Sequence, residues 1–308
     1  GCCRVLSGSN PFFYQPGSTG FSRDQPRIAR VAKKPRLDDY RVPYFDGEKI
    51  KPFDLASIDT ASKPFSSGAK DADRERLSEL STALDGWQEK LHAQRSHRIL
   101  LILQGMDTSG KDGTIRGVFH EVDPLGLRVV PFKAPSETEA AHDFLWRIHW
   151  QAPAAGELAI FNRSQYEDVL VPRVLKQLDR QAYERRYRQI RDFEAMLAEN
   201  GTTIVKCFLH ISKDEQKARL QARIDNPEKH WKFDPSDLDA RKLWDEYCKA
   251  YEDALGATST DIAPWYVIPA DSKTHRNVMV AELMVRTLQS LKLDYPPAKE
   301  SLKGIKVE

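Results

Sequence analysis

The chain has 308 residues, of which 40% are hydrophobic and 30% are charged, and its formal net charge is +2. This length suits one large α/β domain with appended segments or two small domains. Because the net charge is so small, any site for a polyanion has to come from local clustering of cations. We expect no membrane span, because no apolar run approaches roughly 18 residues. The four cysteines are few for a disulfide framework, and they lack the spacing of metal ligands.

The first segment, residues 1–36, is rich in Gly, Ser, Pro and Asn, which predicts a flexible arm. Its basic stretch at 27–36 either contacts a polyanion or is a solvated tail. The arm lacks the charged-then-apolar pattern of a secretory signal, so we expect a cytoplasmic protein. We expect neither a membrane nor a nucleic acid among its partners.

The second segment, residues 37–95, is predicted to pack on the core. Its proline-rich part, 40–65, is expected to lie extended across the domain. Leucines and Trp87 recur at spacings of three and four over residues 71–94, which predicts an amphipathic helix with its apolar stripe on the core.

A buried strand followed by a glycine-containing loop comes next. The apolar run at 99–103 predicts a strand buried on both faces. Gly105 and Gly110 have the spacing of a phosphate-binding loop, whose backbone N–H groups surround an anion. Lys111 can reach the outer phosphates, and the helix that begins there adds its positive dipole end. The other loop residues predicted to contact phosphate are Thr108, Ser109, Asp112 and Gly113.

The loop departs from the usual pattern at one position. Asp112 follows Lys111, where the pattern has a Ser or Thr whose hydroxyl binds Mg²⁺. Because a hard dication prefers carboxylate oxygen, Asp107 inside the loop is predicted to be the Mg²⁺ ligand. The alternative is that Asp107 and Asp112 only cap the following helix.

Strands and helices alternate through the rest of residues 96–292, which we predict to be the catalytic domain, with 293–308 as a C-terminal tail. Further strands are predicted at 127–132, 156–161, 203–211 and 265–269, and helices at 113–122, 137–150, 179–200, 213–224, 235–255 and 273–291. This alternation predicts a three-layer α/β fold with a parallel sheet of about five strands. Ligands of such sheets bind beyond the carboxyl ends of the strands, where the loop lies.

The third predicted strand ends in a second polar motif. Asn162 stands where many phosphate-loop enzymes have a magnesium-binding Asp, and the forked guanidinium of Arg163 suits phosphate oxygens. Glu167 and Asp168 either restore the missing negative charge or bind a nucleotide group. The alternatives are that Asn162 and Ser164 form a turn and that Glu167 pairs with Arg173.

A basic helix and loop at residues 213–235 form a candidate lid. Arg219 and Arg223 share a helix face, and Lys232 follows in a loop rich in cations. A lid between the fourth and fifth strands would bring cations against transferring phosphates and exclude water. The alternative is a solvated helical face.

Five motifs together resemble those of the family 2 polyphosphate kinases: residues 105–113, 132–136, 142–147, 161–170 and 227–232. The resemblance implies a P-loop kinase fold similar to thymidylate kinase, with a helical lid, and Mg²⁺-dependent phosphoryl transfer between inorganic polyphosphate and AMP, ADP or ATP. Guanine nucleotides are further candidates. The family's catalytic roles carry over to Asp107, Lys111, Arg163, Arg219 and Arg223. The Asn162–Glu167 pair resembles the class that acts on both mono- and diphosphates.

Charge dominates the chemistry that this resemblance implies. Two polyanions must approach each other, so cations have to offset their repulsion. We expect Lys133, Arg116, Arg173 and Lys232 to guide the polyphosphate chain. The alternatives are an ATP-dependent nucleoside or nucleotide kinase and a non-enzymatic polyanion binder. A symmetric homo-oligomer, a dimer or a tetramer, is expected.

Overall fold

Five apolar segments of the sequence form one parallel sheet. The structure, a computed structural model, describes residues 35–298 and 306–307. Its strands are β1 Arg98–Gln104, β2 Leu127–Pro131, β3 Leu158–Asn162, β4 Thr202–His210 and β5 Trp265–Pro269. They lie in the order β2-β3-β1-β4-β5, and every neighbouring pair is parallel. The predicted α/β architecture with about five parallel strands is confirmed.

Helices flank the sheet in two groups. Their bounds are α1 Lys70–Gln94, α2 Lys111–Val118, α3 Glu137–Ala140, α4 Trp146–His149, α5 Glu167–Val174, α6 Arg180–Glu199, α7 Lys213–Ile224, α8 Ser236–Lys242, α9 Trp244–Thr258 and α10 Lys273–Ser290. Helices α1, α2 and α10 contact one another, and α5, α6 and α9 form the second group. Within the described residues, no helix combines the length and the apolar character needed to cross a bilayer.

The register of the central strands fixes where the polar motifs meet. Residues Ile99–Leu103 of β1 are at most 1% exposed, as expected for a strand covered on both faces. Leu103 pairs with Asn162 of β3 on one side and with Cys207 of β4 on the other. The loop after β1 and the motif after β3 therefore leave the sheet side by side.

The predicted helix over 137–150 is wrong as a single element. A capping box of Ser136 and Glu139 starts α3, but the chain turns at Asp143, whose carboxylate accepts from the Leu145 N–H at 3.0 Å. The second helix then presents buried Arg147 to the Lys133 carbonyl (2.8 Å) and to Asp168 (2.9 Å). These long-range bonds fix the direction of α4, and the periodicity of the local sequence gives no sign of them.

Two other helix predictions need correction, and one helix was not predicted. The predicted helix over 235–255 breaks at Leu243 into α8 and α9, and the helix after the loop ends at Val118 rather than at residue 122. Helix α5 was not predicted, and it contains Pro172, which cannot donate to the Asp168 carbonyl four residues earlier. Arg186 of α6 donates to that carbonyl instead, so the helix continues through the proline.

The segment predicted to lie extended over 40–65 contacts the edge of β5 and then α9, and it contains a short 3-10 helix at Leu55–Ser57. Val42 donates to the Trp265 carbonyl at 2.9 Å, and Arg41 forms an isolated antiparallel bridge with Tyr266. Further along, Phe53 donates to the Glu252 carbonyl of α9 at 2.9 Å. The segment therefore covers a sheet edge that would otherwise be open to pairing. The predicted arm over 1–36 and tail over 293–308 fall largely outside the described residues.

Two helical glycines provide a stability test of this edge. A Cβ on Gly256 would lie 1.8 Å from the Lys51 carbonyl oxygen, whereas a Cβ on Gly86 of α1 would meet nothing within 4 Å. We expect Gly256→Ala to lower the free energy of unfolding by about 1–3 kcal/mol, because backbone cannot move aside. Gly86→Ala should raise it by about 0.5–1 kcal/mol. Denaturant titration checks both, and an undiminished stability of Gly256→Ala would contradict the packing described.

Candidate active site

The phosphate loop, residues 105–111, has a backbone that only some residues can adopt. Gly105 has φ +152° and Gly110 has φ +101°, both in the region that favours glycine. Thr108 also has a positive φ of 64°, which is uncommon for a residue with a Cβ, and its buried hydroxyl has no partner among the described residues. Strain and an unpaired buried hydroxyl together are features of a ligand site.

The start of α2 has no side-chain cap. Gly110 is the N-cap residue, and the first backbone bond back to it comes from the Thr114 N–H at 2.8 Å. The alternative that Asp107 and Asp112 serve as caps is therefore wrong. The free N–H groups at this helix end are available to an anion.

Lys111 is a buried cation, and none of the carboxylates in the described ranges 35–298 and 306–307 is bonded to it. Its ammonium donates to the Gly105 carbonyl (2.8 Å) and to the Met106 carbonyl (3.3 Å). Burial lowers the pKa of Lys111 to about 8, and neighbouring Arg163 adds to this effect, while Asp107 acts against it. The charged form is thus destabilised until an anion approaches.

Arg163 joins the two polar motifs. Its guanidinium lies 2.7 Å from Asp107 Oδ1 and 3.3 Å from Glu167 Oε2. Burial alone would lower the pKa of Arg163, but Glu167 and Asp107 outweigh it and hold the pKa above its ordinary value. The alternative pairing of Glu167 with Arg173 is not formed. Asn162, the last residue of β3, donates to Asp112 Oδ1 at 2.7 Å, so Asp107 of the loop and Asp112 of α2 are each bonded to a residue at or just after the end of β3.

One cavity of about 1160 Å³ collects most of the predicted residues. Its lining includes Asp107, Thr108, Gly110, Lys111, Asp112, Gly113, Lys133, Asn162, Arg163, Arg219, Arg223 and Lys232. Glu167 lines a small adjoining cavity that shares Asp107 and Arg163 with the large one. Gly105 also lines that small cavity, and its carbonyl accepts from Lys111, whereas Ser109 is buried and lines neither cavity.

The lid, residues 213–235, lies against the phosphate loop. Arg219 donates to the carbonyls of Thr108 (2.9 Å) and Ser109 (3.0 Å) and pairs with Glu215 at 2.7 Å. Its other amino group donates to the carbonyls of Ala270 and Asp271. All five N–H groups of Arg219 are thereby used, so in this conformation it connects the lid helix to the loop.

Arg223, one turn further along α7, is less constrained. It donates to the Lys232 carbonyl at 2.9 Å and lies 3.2 Å from Asp237 Oδ2. Burial, together with repulsion by Asp107, raises the pKa of Asp237 to about 6, although Arg223 acts to lower it. This ion pair is part of the cavity wall, so a bound phosphate would compete with Asp237 for Arg223.

The profile described as "Polyphosphate kinase 2 (PPK2)" matches residues 67–296. The chain belongs to the polyphosphate kinase 2 family. It is 52% identical over 256 residues to the AMP/ADP-polyphosphate phosphotransferase of Meiothermus ruber, covering 83% of this chain and 96% of that protein. It is 43% identical over 263 residues to the ADP-polyphosphate phosphotransferase of Rhodopseudomonas palustris, covering 82% and 90%. The crystal structure of polyphosphate kinase 2 from Arthrobacter aurescens TC1 superposes with a TM-score of 0.82 at 45% identity, covering 89% and 96%.

The structure places two residues predicted for polyphosphate kinase 2 chemistry outside the large cavity. Arg173 pairs with Asp253, donates to the Tyr187 hydroxyl at 2.8 Å and lines a separate cavity of about 450 Å³. It is therefore not brought together with the residues of the large cavity, because the C-terminal half of α5 faces α6 and α9, and its predicted role as a guide for the polyphosphate chain stays a prediction. Arg116 is exposed on α2 and does not line the cavity, because its helical position turns it away.

Of the residues that the structure describes, six charged ones that line the large cavity were not among the predicted site residues: Glu215, Lys229, Asp234, Asp237, Asp239 and Lys273. Lys273 lines the large cavity at the first position of α10, directly after the carboxyl end of β5. A cation placed just beyond a strand end is a signal that could have identified it. Asp237 follows the lid and carried no such signal, because only the folding of α8 against α7 brings it to Arg223.

The pKa of Lys111 predicts an alkaline limb in the activity profile. Because this pKa is about 8, the ammonium is charged below that pH and loses its proton as the pH rises through it. We expect kcat/KM for the phosphoryl donor to fall above about pH 8. The same limb in kcat should lie at higher pH, because a bound anion stabilises the charged form. Steady-state rates across this pH range check both expectations. A kcat/KM profile that stays flat above pH 8 would contradict the predicted contact between the Lys111 ammonium and the phosphoryl donor.

Proposed function

We propose that the chain transfers a phosphoryl group between inorganic polyphosphate and nucleotides, converting AMP to ADP and ADP to ATP. The observation that carries the proposal is one cavity lined by cations from the loop, the β3 end, the lid and the start of α10, in a member of the polyphosphate kinase 2 family. The two relatives described above are named for transfer with AMP/ADP and with ADP.

The chemistry that follows is electrostatic. A nucleotide phosphate has a second pKa of about 6, so its attacking oxygen is mostly ionised at neutral pH and needs no general base. The barrier comes from repulsion between two anions and from charge spread over the transferred group. Under this proposal Lys111 and Arg163 bracket that group, while Lys133, Lys232 and Lys273 contact the polyphosphate chain.

Mg²⁺ is the cofactor under this proposal. This ion typically takes one or two carboxylates and completes its shell with water and substrate phosphates. Within residues 35–298 and 306–307, no three His, Cys, Asp or Glu side chains are grouped for a metal, so a closed protein cage is not the arrangement here. Asp107 fits the open arrangement, because only its Oδ1 is bonded, to Arg163, and it lines the cavity. The ion would neutralise charge on the phosphate oxygens.

Nucleotide choice is assigned to the pair at and after the end of β3. Asn162 is bonded to Asp112 of α2, and Glu167 is bonded to Arg163, which is itself bonded to Asp107 of the loop. We propose on this basis that mono- and diphosphates are both accepted, with guanine nucleotides as further substrates to be tested. The proposal also includes a cytoplasmic location, where such nucleotides are found, and a symmetric homo-oligomer, which light scattering can measure.

An assay with separate donors tests this function. With Mg²⁺ and polyphosphate we expect ADP from AMP and ATP from ADP, each resolved by chromatography. Lys111→Ala should slow both reactions by about 10²-fold or more, because it removes a cation from the developing charge. Lys217→Ala is the matched control, since Lys217 is an exposed cation of the lid helix that does not line the cavity. Product formed only when ATP is the donor would indicate an ATP-dependent nucleotide kinase instead.

A further inference from the structure

A second buried guanidinium lies beneath the phosphate loop, supplied by α10. Arg276, in the first turn of that helix, is only 2% exposed. Its Nη1 donates to the Ser109 carbonyl at 3.2 Å, and its Nε and Nη2 donate to Asn277 Oδ1 at 3.2 and 2.9 Å. Among the described residues no carboxylate pairs with it. A buried cation left without a counter-ion is costly, so this one requires an explanation.

The guanidinium fits against the loop glycines. A Cβ built on Gly110 would lie 1.9 Å from Arg276 Nη1, and one on Gly113 would lie 3.2 Å from Nη2. Gly110 is therefore needed for space as well as for its positive φ. Arg276 is in close contact with the turn where the loop becomes α2, directly behind the N–H groups that an anion would use.

Two guanidiniums converge on one carbonyl oxygen. The Ser109 oxygen accepts from Arg276 at 3.2 Å and from Arg219 of the lid helix at 3.0 Å. In a planar trans peptide the C=O and the following N–H point in opposite directions. Fixing the Ser109 carbonyl from behind therefore directs the Gly110 N–H forward, and within the described residues that N–H has no protein acceptor. Gly110 itself lines the large cavity.

We propose that Arg276 is a positioning residue for phosphate binding: together with Arg219 it holds the Ser109–Gly110 peptide so that the Gly110 N–H faces the bound anion, and its buried charge raises the positive potential beneath the loop. This inference rests on the proposed function, because it assigns a phosphate ligand to the loop. Burial, and then repulsion by Arg219, lower the pKa of Arg276 to about 9, as expected for a cation whose partner has not yet bound.

Anion affinity separates this role from a purely structural one. Inorganic triphosphate with Mg²⁺ is titrated calorimetrically into the folded wild type, Arg276→Met, Arg276→Lys and Arg286→Met. Arg286 is an exposed cation of the same helix, paired with Asp38, and serves as the matched control. We expect Arg276→Met to raise the Kd by about ten- to a hundredfold, the value of one well-aimed hydrogen bond to a charged group. Arg276→Lys keeps the positive charge but loses the forked guanidinium, so it should raise the Kd less than Arg276→Met does. Arg286→Met should leave the Kd unchanged.

Steady-state kinetics supply the second readout. We expect Arg276→Met to raise KM for polyphosphate while KM for the nucleotide stays at the wild-type value. A folded Arg276→Met that binds triphosphate within twofold of wild type would overturn the proposal. If Arg276→Met does not fold, an unchanged Kd in Arg276→Lys overturns it equally. A wild type that binds triphosphate but makes no ADP or ATP contradicts the proposed function alone, and the Kd comparison at Arg276 still decides this inference.

Discussion

The site depends on one electrostatic constraint, which is that positive charge gathers around the phosphate loop without enough negative charge bonded to it. Lys111 and Arg276 are buried, and within the part of the chain that the structure describes they are bonded only to neutral oxygens. The N–H groups at the start of α2 have no side-chain cap. Buried positive charge without bonded negative charge raises the free energy of the protein, and a bound anion would remove this cost. Under the proposed function, the relief of this cost contributes to the affinity for phosphate.

The acidic residues modify this constraint. Asp107 and Glu167 are both bonded to Arg163, and Asp237 is bonded to Arg223. Two of the cations nearest the cavity are therefore already paired, whereas the two beneath and behind the loop are not. Under the proposed function, a phosphate that enters would take over the paired cations, and Mg²⁺ at Asp107 would take over the carboxylate that Arg163 leaves. The cavity wall thus contains ion pairs, whereas Arg276 lies behind the loop and outside the cavity lining.

Local sequence patterns predicted the strands, the loop and the lid helix, because their signals lie within a few residues. The run at 99–103 and the glycines at 105 and 110 needed no long-range information. The break at Asp143, the helix through Pro172 and the orientation of Arg173 could not be predicted, because each depends on a partner from a distant segment. Arg276 belongs with these: nothing in the sequence of α10 shows that its first turn lies under the loop.

A crystal structure with a phosphate mimic tests the central claim most directly. Crystals grown with methylene-bridged pyrophosphate and Mg²⁺ should show one phosphate at the N-terminus of α2, within hydrogen-bond distance of the Gly110 N–H and the Lys111 ammonium. Mg²⁺ should lie between that phosphate and Asp107. A mimic that binds elsewhere in the cavity while this position holds only water would contradict the account.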